Sequence, residues 1–133
     1  MIAVDTNVVV RLLTGDDREQ AASAQSLFDR ETIWIAKTVL LETEWVLRSL
    51  FHFDATTIRN AFAGLLGLPN VRAEDETSVA AALALSAHGI DFADALHLSS
   101  KPAGSVFSSF DKSIINGAKR AGVQDIRLIS EAE

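Results

Sequence analysis

An α/β sandwich with a short, mostly parallel central sheet is the fold this sequence predicts, and three observations carry the prediction. Short β-branched or apolar runs alternate with longer, alanine-rich amphipathic stretches, and strands that alternate with helices build parallel sheets. Acids that start helices and glycines that end them fall between these runs. Two acids, Asp5 and Asp111, follow strand-like runs, the place where open parallel sheets bind their ligands.

Along the chain, Ile2-Ala3-Val4 reads as a short buried strand, and the residues after Asp5 through Leu13 as a helix ended by Gly15. Asp16 or Asp17 is placed to cap the next helix, Glu19 to Phe28. Thr32 to Ala36 is β-branched and aromatic, a strand. Thr38 is the expected cap of an apolar helix to about Leu50. Asp54 caps Ala55 to Leu66, closed by Gly67 and Pro69. Val71 marks a short strand, and Glu74 to Ala87 is a helix with acids in its first turn, as the helix dipole favours. His88-Gly89 ends it, and Asp91 to Ser100 is the next helix. Ser105–Ser108 reads as a strand, Lys112–Ala121 as a helix and Arg127–Ile129 as a last strand.

The 133 residues, 48% apolar and 23% charged, fit a single domain over 1–133 with a sizeable core and exclude a disordered chain. No apolar run approaches the roughly 20 residues that span a bilayer. The opening MIAVDTN lacks the basic and apolar regions of a signal peptide. Zero cysteines leave no disulfide, thiolate metal site or cysteine nucleophile. A cytoplasmic protein with no membrane partner is expected. The net charge of −6 argues against binding nucleic acid by general attraction. It does not exclude a nuclease, because carboxylates that hold cations make a chain acidic and the cations supply positive charge to phosphate. Lys101, Lys112, Lys119, Arg120 and Arg127 outnumber Asp111 and Asp125 near the C-terminus. A solvated helix face is the preferred account of them, with a weak phosphate-facing surface as the other.

Four acids stand where successive elements would deliver them to one sheet edge. Asp5 follows the first strand, Glu42 lies early in the helix after the second, Asp94 lies in the helix before Ser105–Ser108, and Asp111 follows that strand. Two unpaired carboxylates about 4 Å apart repel by roughly 4 kcal/mol at an effective dielectric near 20. A cluster therefore needs protons, basic partners or cations. Hard cations such as Mg²⁺ or Mn²⁺ suit an all-oxygen site, and one or two of them suit phosphodiester hydrolysis. Plainer readings exist for each acid. Asp5, Asp91 and Asp111 sit where helix caps belong, and Glu44 pairs with Arg48 at the i, i+4 spacing as a surface ion pair. Glu42 has no such partner, with Thr38 and Val46 a turn away on either side. His97 is expected to be a half-buried helix residue and not a ligand, since no HExxH-like spacing surrounds it. Trp34 and Trp45 read as core or subunit interface. Ser108 and Ser109 lack a histidine partner for nucleophilic catalysis, and hydrogen bonding near Asp111 is their better role.

Met1-Ile2-Ala3-Val4-Asp5-Thr6-Asn7-Val8-Val9-Val10-Arg11 resembles the opening of a PIN domain. Thr38-Val39-Leu40-Leu41-Glu42-Thr43-Glu44-Trp45-Val46-Leu47 resembles that family's second acidic motif. Gly89-Ile90-Asp91-Phe92-Ala93-Asp94-Ala95-Leu96 resembles the third, and Phe107-Ser108-Ser109-Phe110-Asp111-Lys112 the fourth, with Ser109 where Thr is more usual. The four motifs occur in the right order over nearly the whole chain. The resemblance implies a three-layer α/β/α sandwich with Asp5, Glu42, Asp94 and Asp111 as catalytic metal ligands. Asn7, Asp91 and Ser109 would be supporting residues. The short length looks most like the VapC-type toxins of toxin–antitoxin pairs. That likeness implies a homodimeric Mg²⁺- or Mn²⁺-dependent endoribonuclease, with an RNA such as a tRNA as substrate and a small antitoxin as partner.

A phospho-acceptor signalling domain needs an acidic pair after the first strand, where Asp5 stands alone. A haloacid-dehalogenase-like phosphatase needs Asp-x-Asp, where this chain has Asp5-Thr6-Asn7. The more serious alternative is a catalytically silent PIN-like module that binds protein or RNA.

Overall fold

β1 (Ile2–Ala3) opens the first of two units, Met1–Glu76 and Thr77–Glu133, in a computed structural model that describes residues 1–130. The fold is α/β, and every strand pair in it is parallel. In the first unit β1 is followed by α1 (Thr6–Thr14), α2 (Arg18–Arg30), β2 (Ile33–Ile35), α3 (Lys37–Ser49), α4 (Ala55–Leu66) and β3 (Val71–Ala73). The strands lie in the order β1-β2-β3, with Ile2 opposite Ile33 and Ile33 opposite Val71. β2 is the middle strand. Ile33 and Ile35 are fully buried on it, among the largest enclosed side chains of this unit with Val9, Leu40, Leu47 and Phe62.

Local chemistry sets the helix ends. Gly15 takes the left-handed conformation (φ 67°), and its N–H donates to the Arg11 carbonyl, which closes α1. Asp17, not Asp16, caps α2 by accepting from Gln20 N at 3.0 Å. Asp16 instead receives both Nη1 contacts of Arg11 at 2.9 Å. Asp54 caps α4 through Thr57 N at 2.7 Å. The Asn70 side-chain amide donates to the carbonyls of Phe28 (2.6 Å) and Glu31 (2.7 Å), tying the end of α2 to the residue before β3.

The second unit contains α5 (Glu76–Ser86, which starts at the boundary), α6 (Phe92–Ser100), β4 (Phe107–Ser109), α7 (Lys112–Arg120) and β5 (Ile126–Leu128). Phe107 faces Ile126 and Ser109 faces Leu128. The expectation of one sheet meets two hydrogen-bonded sets among the described residues, three strands and two. Gly117, buried in α7, passes so close to Ile90 that an added Cβ would lie 3.0 Å from its Cγ1.

Several expectations need correction. α3 begins at Lys37 with Ala36 in the cap position and no side-chain capping bond, so Thr38 lies inside the first turn. α5 starts two residues later than predicted. Asp75 has a left-handed backbone (φ 54°), and the Glu74 carboxylate accepts from Lys37 N at 2.9 Å. Glu44 does pair with Arg48 at 3.0 Å, but its side chain is buried at 7% exposure, so the pair is not a surface one. His97 is exposed, not half-buried. Trp34 is half-buried, while Trp45 is 53% exposed and is no core residue. No helix among the described residues is long and apolar enough to cross a membrane.

Thr43, fully buried in α3, has a hydroxyl without a hydrogen-bond partner among the described residues. Such a group costs about 1–3 kcal/mol, and valine matches its shape without the hydroxyl. Thr43→Val should raise the Tm by a few degrees in a calorimetric scan. A lower Tm would show that the hydroxyl is satisfied in solution.

Candidate active site

The first unit holds two of the expected acids, Asp5 and Glu42. Asp5 leaves β1 in an extended conformation and caps α1, its Oδ1 accepting from Val8 N at 3.2 Å. The cap reading of Asp5 is therefore correct, yet it uses one carboxylate oxygen only. The next residue, Thr6, is buried at 8% exposure, and its hydroxyl donates to Oε1 of Glu42 across 36 positions of sequence. Glu42 itself is exposed on α3. The start of α1 and α3 are thus joined by one side-chain bond, and Glu42 stands beside the residue that follows Asp5. Sequence reasoning missed Thr6. The lack of a helical partner for Glu42 was the signal that something outside α3 must hold it.

Asp5 and Asn7 also line a cleft of about 520 Å³ with Arg11, Gln20, Ser23 and Leu27 among its walls. Arg11 is fixed there by Asp16 and by Gln20, whose Oε1 accepts from Nε at 2.8 Å. The guanidinium therefore already has its own counter-charge.

The second unit supplies the other acids. Asp94 is half-buried in the first turn of α6. Burial, then the charge of Asp91, raises its pKa above the ordinary 3.8; Asp111 adds to the rise and His97 opposes it. Asp91 occupies the cap position of α6 but makes no side-chain capping bond, so capping does not account for its carboxylate. Asp111 caps α7, accepting from the Ser113 hydroxyl at 2.7 Å and Ser113 N at 2.8 Å. The Ser113 hydroxyl bond, then the backbone one, holds its pKa below the usual value. Ser109 Oγ accepts from Asp111 N at 3.0 Å, the hydrogen-bonding role expected of it near Asp111. Ser113 was not foreseen, although a serine two residues after a capping acid is a recurrent turn pattern.

In the second unit Asp94 lies within electrostatic reach of Asp91 and Asp111. Among the described residues no group of three or more His, Cys, Asp or Glu side chains is gathered closely enough to hold a metal. The candidates of each unit are all carboxylates, the donors that a hard divalent cation takes. Asp5 and Glu42 each commit one oxygen to a hydrogen bond. The ion pairs of the first unit, Arg11–Asp16, Lys37–Asp75 and Arg48–Glu44, neutralise neither of them. The pKa of Asp94 is raised by its burial first and by the neighbouring charge of Asp91 second.

With this geometry, a family model for the PIN domain matches residues 2–119. The chain belongs to the PIN-domain family. The match runs through both units and includes all four candidate acids. PIN domains are in general nucleases that require divalent metal ions. A comparison with curated proteins finds no match.

Because the charged form of Asp94 is disfavoured in the fold, the contribution of Asp94 to the stability of the metal-free protein should fall as pH rises from 3.8 through the raised pKa. Asp94→Asn lacks that charge. In EDTA its Tm should equal that of wild type at acid pH and exceed it at neutral pH. A gap that is constant with pH would show that the charge of Asp94 carries no cost.

Proposed function

We propose that this PIN domain is a divalent-metal-dependent endoribonuclease that uses Asp5, Glu42, Asp94 and Asp111 as its catalytic metal-ligating carboxylates. The observation that carries the reading is the Thr6–Glu42 bond, which brings the second acid to the residue after the first. The family match over both units supports joining these two with Asp94 and Asp111. When bound, one or two Mg²⁺ or Mn²⁺ ions would neutralise phosphate charge and lower the pKa of water for attack on phosphorus.

The chain's own residues have distinct parts in this reading. Asp5 and Asp111 are held by the helix starts they cap, so little freedom remains to be lost on binding a cation. Asp94, whose charged form is the least comfortable, gains most from a positive neighbour. Ser109 steadies the backbone at Asp111. Asn7, exposed in the cleft beside Asp5, and Asp91, free of a capping bond, are the supporting polar groups in this reading.

The biological role we propose is that of a VapC-type toxin in the cytoplasm, acting on a specific RNA such as a tRNA and restrained by a small cognate antitoxin. Trp45 (53% exposed) and Leu50 (63%) support an apolar contact on α3, for a homodimer or for the antitoxin. The domain is read as one functional piece over 1–133.

Purified protein free of any antitoxin, incubated with total bacterial RNA in Mn²⁺, should yield discrete fragments. Asp5→Ala, Glu42→Ala, Asp94→Asn and Asp111→Ala should each reduce cleavage by at least about 100-fold, the scale of losing a transition-state electrostatic contact. Folded variants that cut as fast as wild type would overturn the assignment, and wild type that cuts nothing would favour the silent binding module.

A further inference from the structure

We infer that Thr6 is a positioning residue for Glu42, fixing that carboxylate so that its second oxygen serves a divalent cation; the inference rests on the metal-site reading above. The sequence around Glu42 gives it nothing to hold. It is exposed on α3, with Thr38 and Val46 one turn away on either side. An untethered glutamate loses rotamer freedom whenever a ligand orders it. Here the ordering is done in advance by the hydroxyl of Thr6.

Thr6 suits this task for local reasons. Helical threonines commonly turn their hydroxyl back onto a carbonyl three or four residues earlier, as Thr14 does to Val10 O at 2.8 Å. Thr6 is the first residue of α1, preceded by the capping Asp5 and by β1, so no helical carbonyl lies behind it. Its hydroxyl is left for a distant acceptor, and burial at 8% exposure holds the side chain in place. A hydrogen bond to a charged acceptor is of the strong kind. Metal-binding carboxylates typically rely on such partners, whose loss weakens metal binding by about 10–100-fold.

Thr43, the chain neighbour of Glu42, provides a contrast. It too is a buried threonine, but its hydroxyl bonds to nothing among the described residues. Substitution there controls for general packing around α3.

The test is a titration of Mn²⁺ alone into the full chain, with free Mn²⁺ read by electron paramagnetic resonance. Thr6→Val keeps the β-branched shape and should weaken Mn²⁺ binding by about tenfold or more. Thr6→Ser should restore binding close to wild type, and Thr43→Val should leave it unchanged. Glu42→Gln should weaken binding at least as much as Thr6→Val, and adding Thr6→Val to Glu42→Gln should cause no further loss. Should Thr6→Val be too unstable to titrate, Thr6→Ala in the same cycle gives the same reading. Wild-type affinity in Thr6→Val alongside weakened binding in Glu42→Gln overturns this inference and leaves the proposed function standing. Equal losses in Thr6→Val and Thr6→Ser, or additive losses in the double variant, overturn it as well. Wild-type affinity in Glu42→Gln removes the metal-site reading, and the inference falls with it.

Discussion

Parallel pairing obliges the chain to cross back after every strand, and in this protein the crossings are helices. Each helix that starts behind a strand exposes backbone N–H groups with no partner of their own, and a carboxylate is a good group to put there. Asp5 behind β1 and Asp111 behind β4 meet that need, with bonds to Val8 N and to Ser113 N. A fold of this kind therefore acquires acids at the carboxyl ends of its strands for reasons of stability alone. Glu42 answers no such need: it is an exposed acid held by Thr6 and not by its own helix.

The charge distribution shows which acids have been provided for. Arg11, Lys37 and Arg48 neutralise Asp16, Asp75 and Glu44. Among the described residues Asp5 and Glu42 receive hydrogen-bond donors but no cation, and Asp94 feels both Asp91 and Asp111 as like charges. In a chain with a net charge of −6, these three ion pairs all engage acids outside the candidate set.

What was legible in the sequence was mostly local. Gly15, Asp54 and Gly67 marked helix ends because caps act within one turn, and the run Thr32–Ala36 announced β2 by its composition. The division of the strands into a set of three and a set of two was not legible, since pairing depends on contacts between distant segments. The four acids were found by motif and order, whereas Thr6 was not, because its partner lies 36 residues away and nothing in its own helix betrays the bond. Exposure was harder still. His97 and Trp45 sit in apolar surroundings in sequence and yet face solvent, while Glu44 sits beside an exposed tryptophan and is buried. A helix turns by about 100° per residue, so neighbours in sequence share little of their environment.

The two tryptophans give the molecule an optical property of its own. With no tyrosine in the chain, its near-ultraviolet emission comes from two indoles in different surroundings. Trp34 is half-buried in the middle strand, and Trp45 is largely solvated on the helix that bears Glu42. Excitation of the native chain therefore yields a bluer component that reports on the sheet and a redder one that reports on α3. Anything that covers α3, a second subunit or another protein, shifts the redder component and leaves the bluer one in place, so association can be followed without attaching a dye.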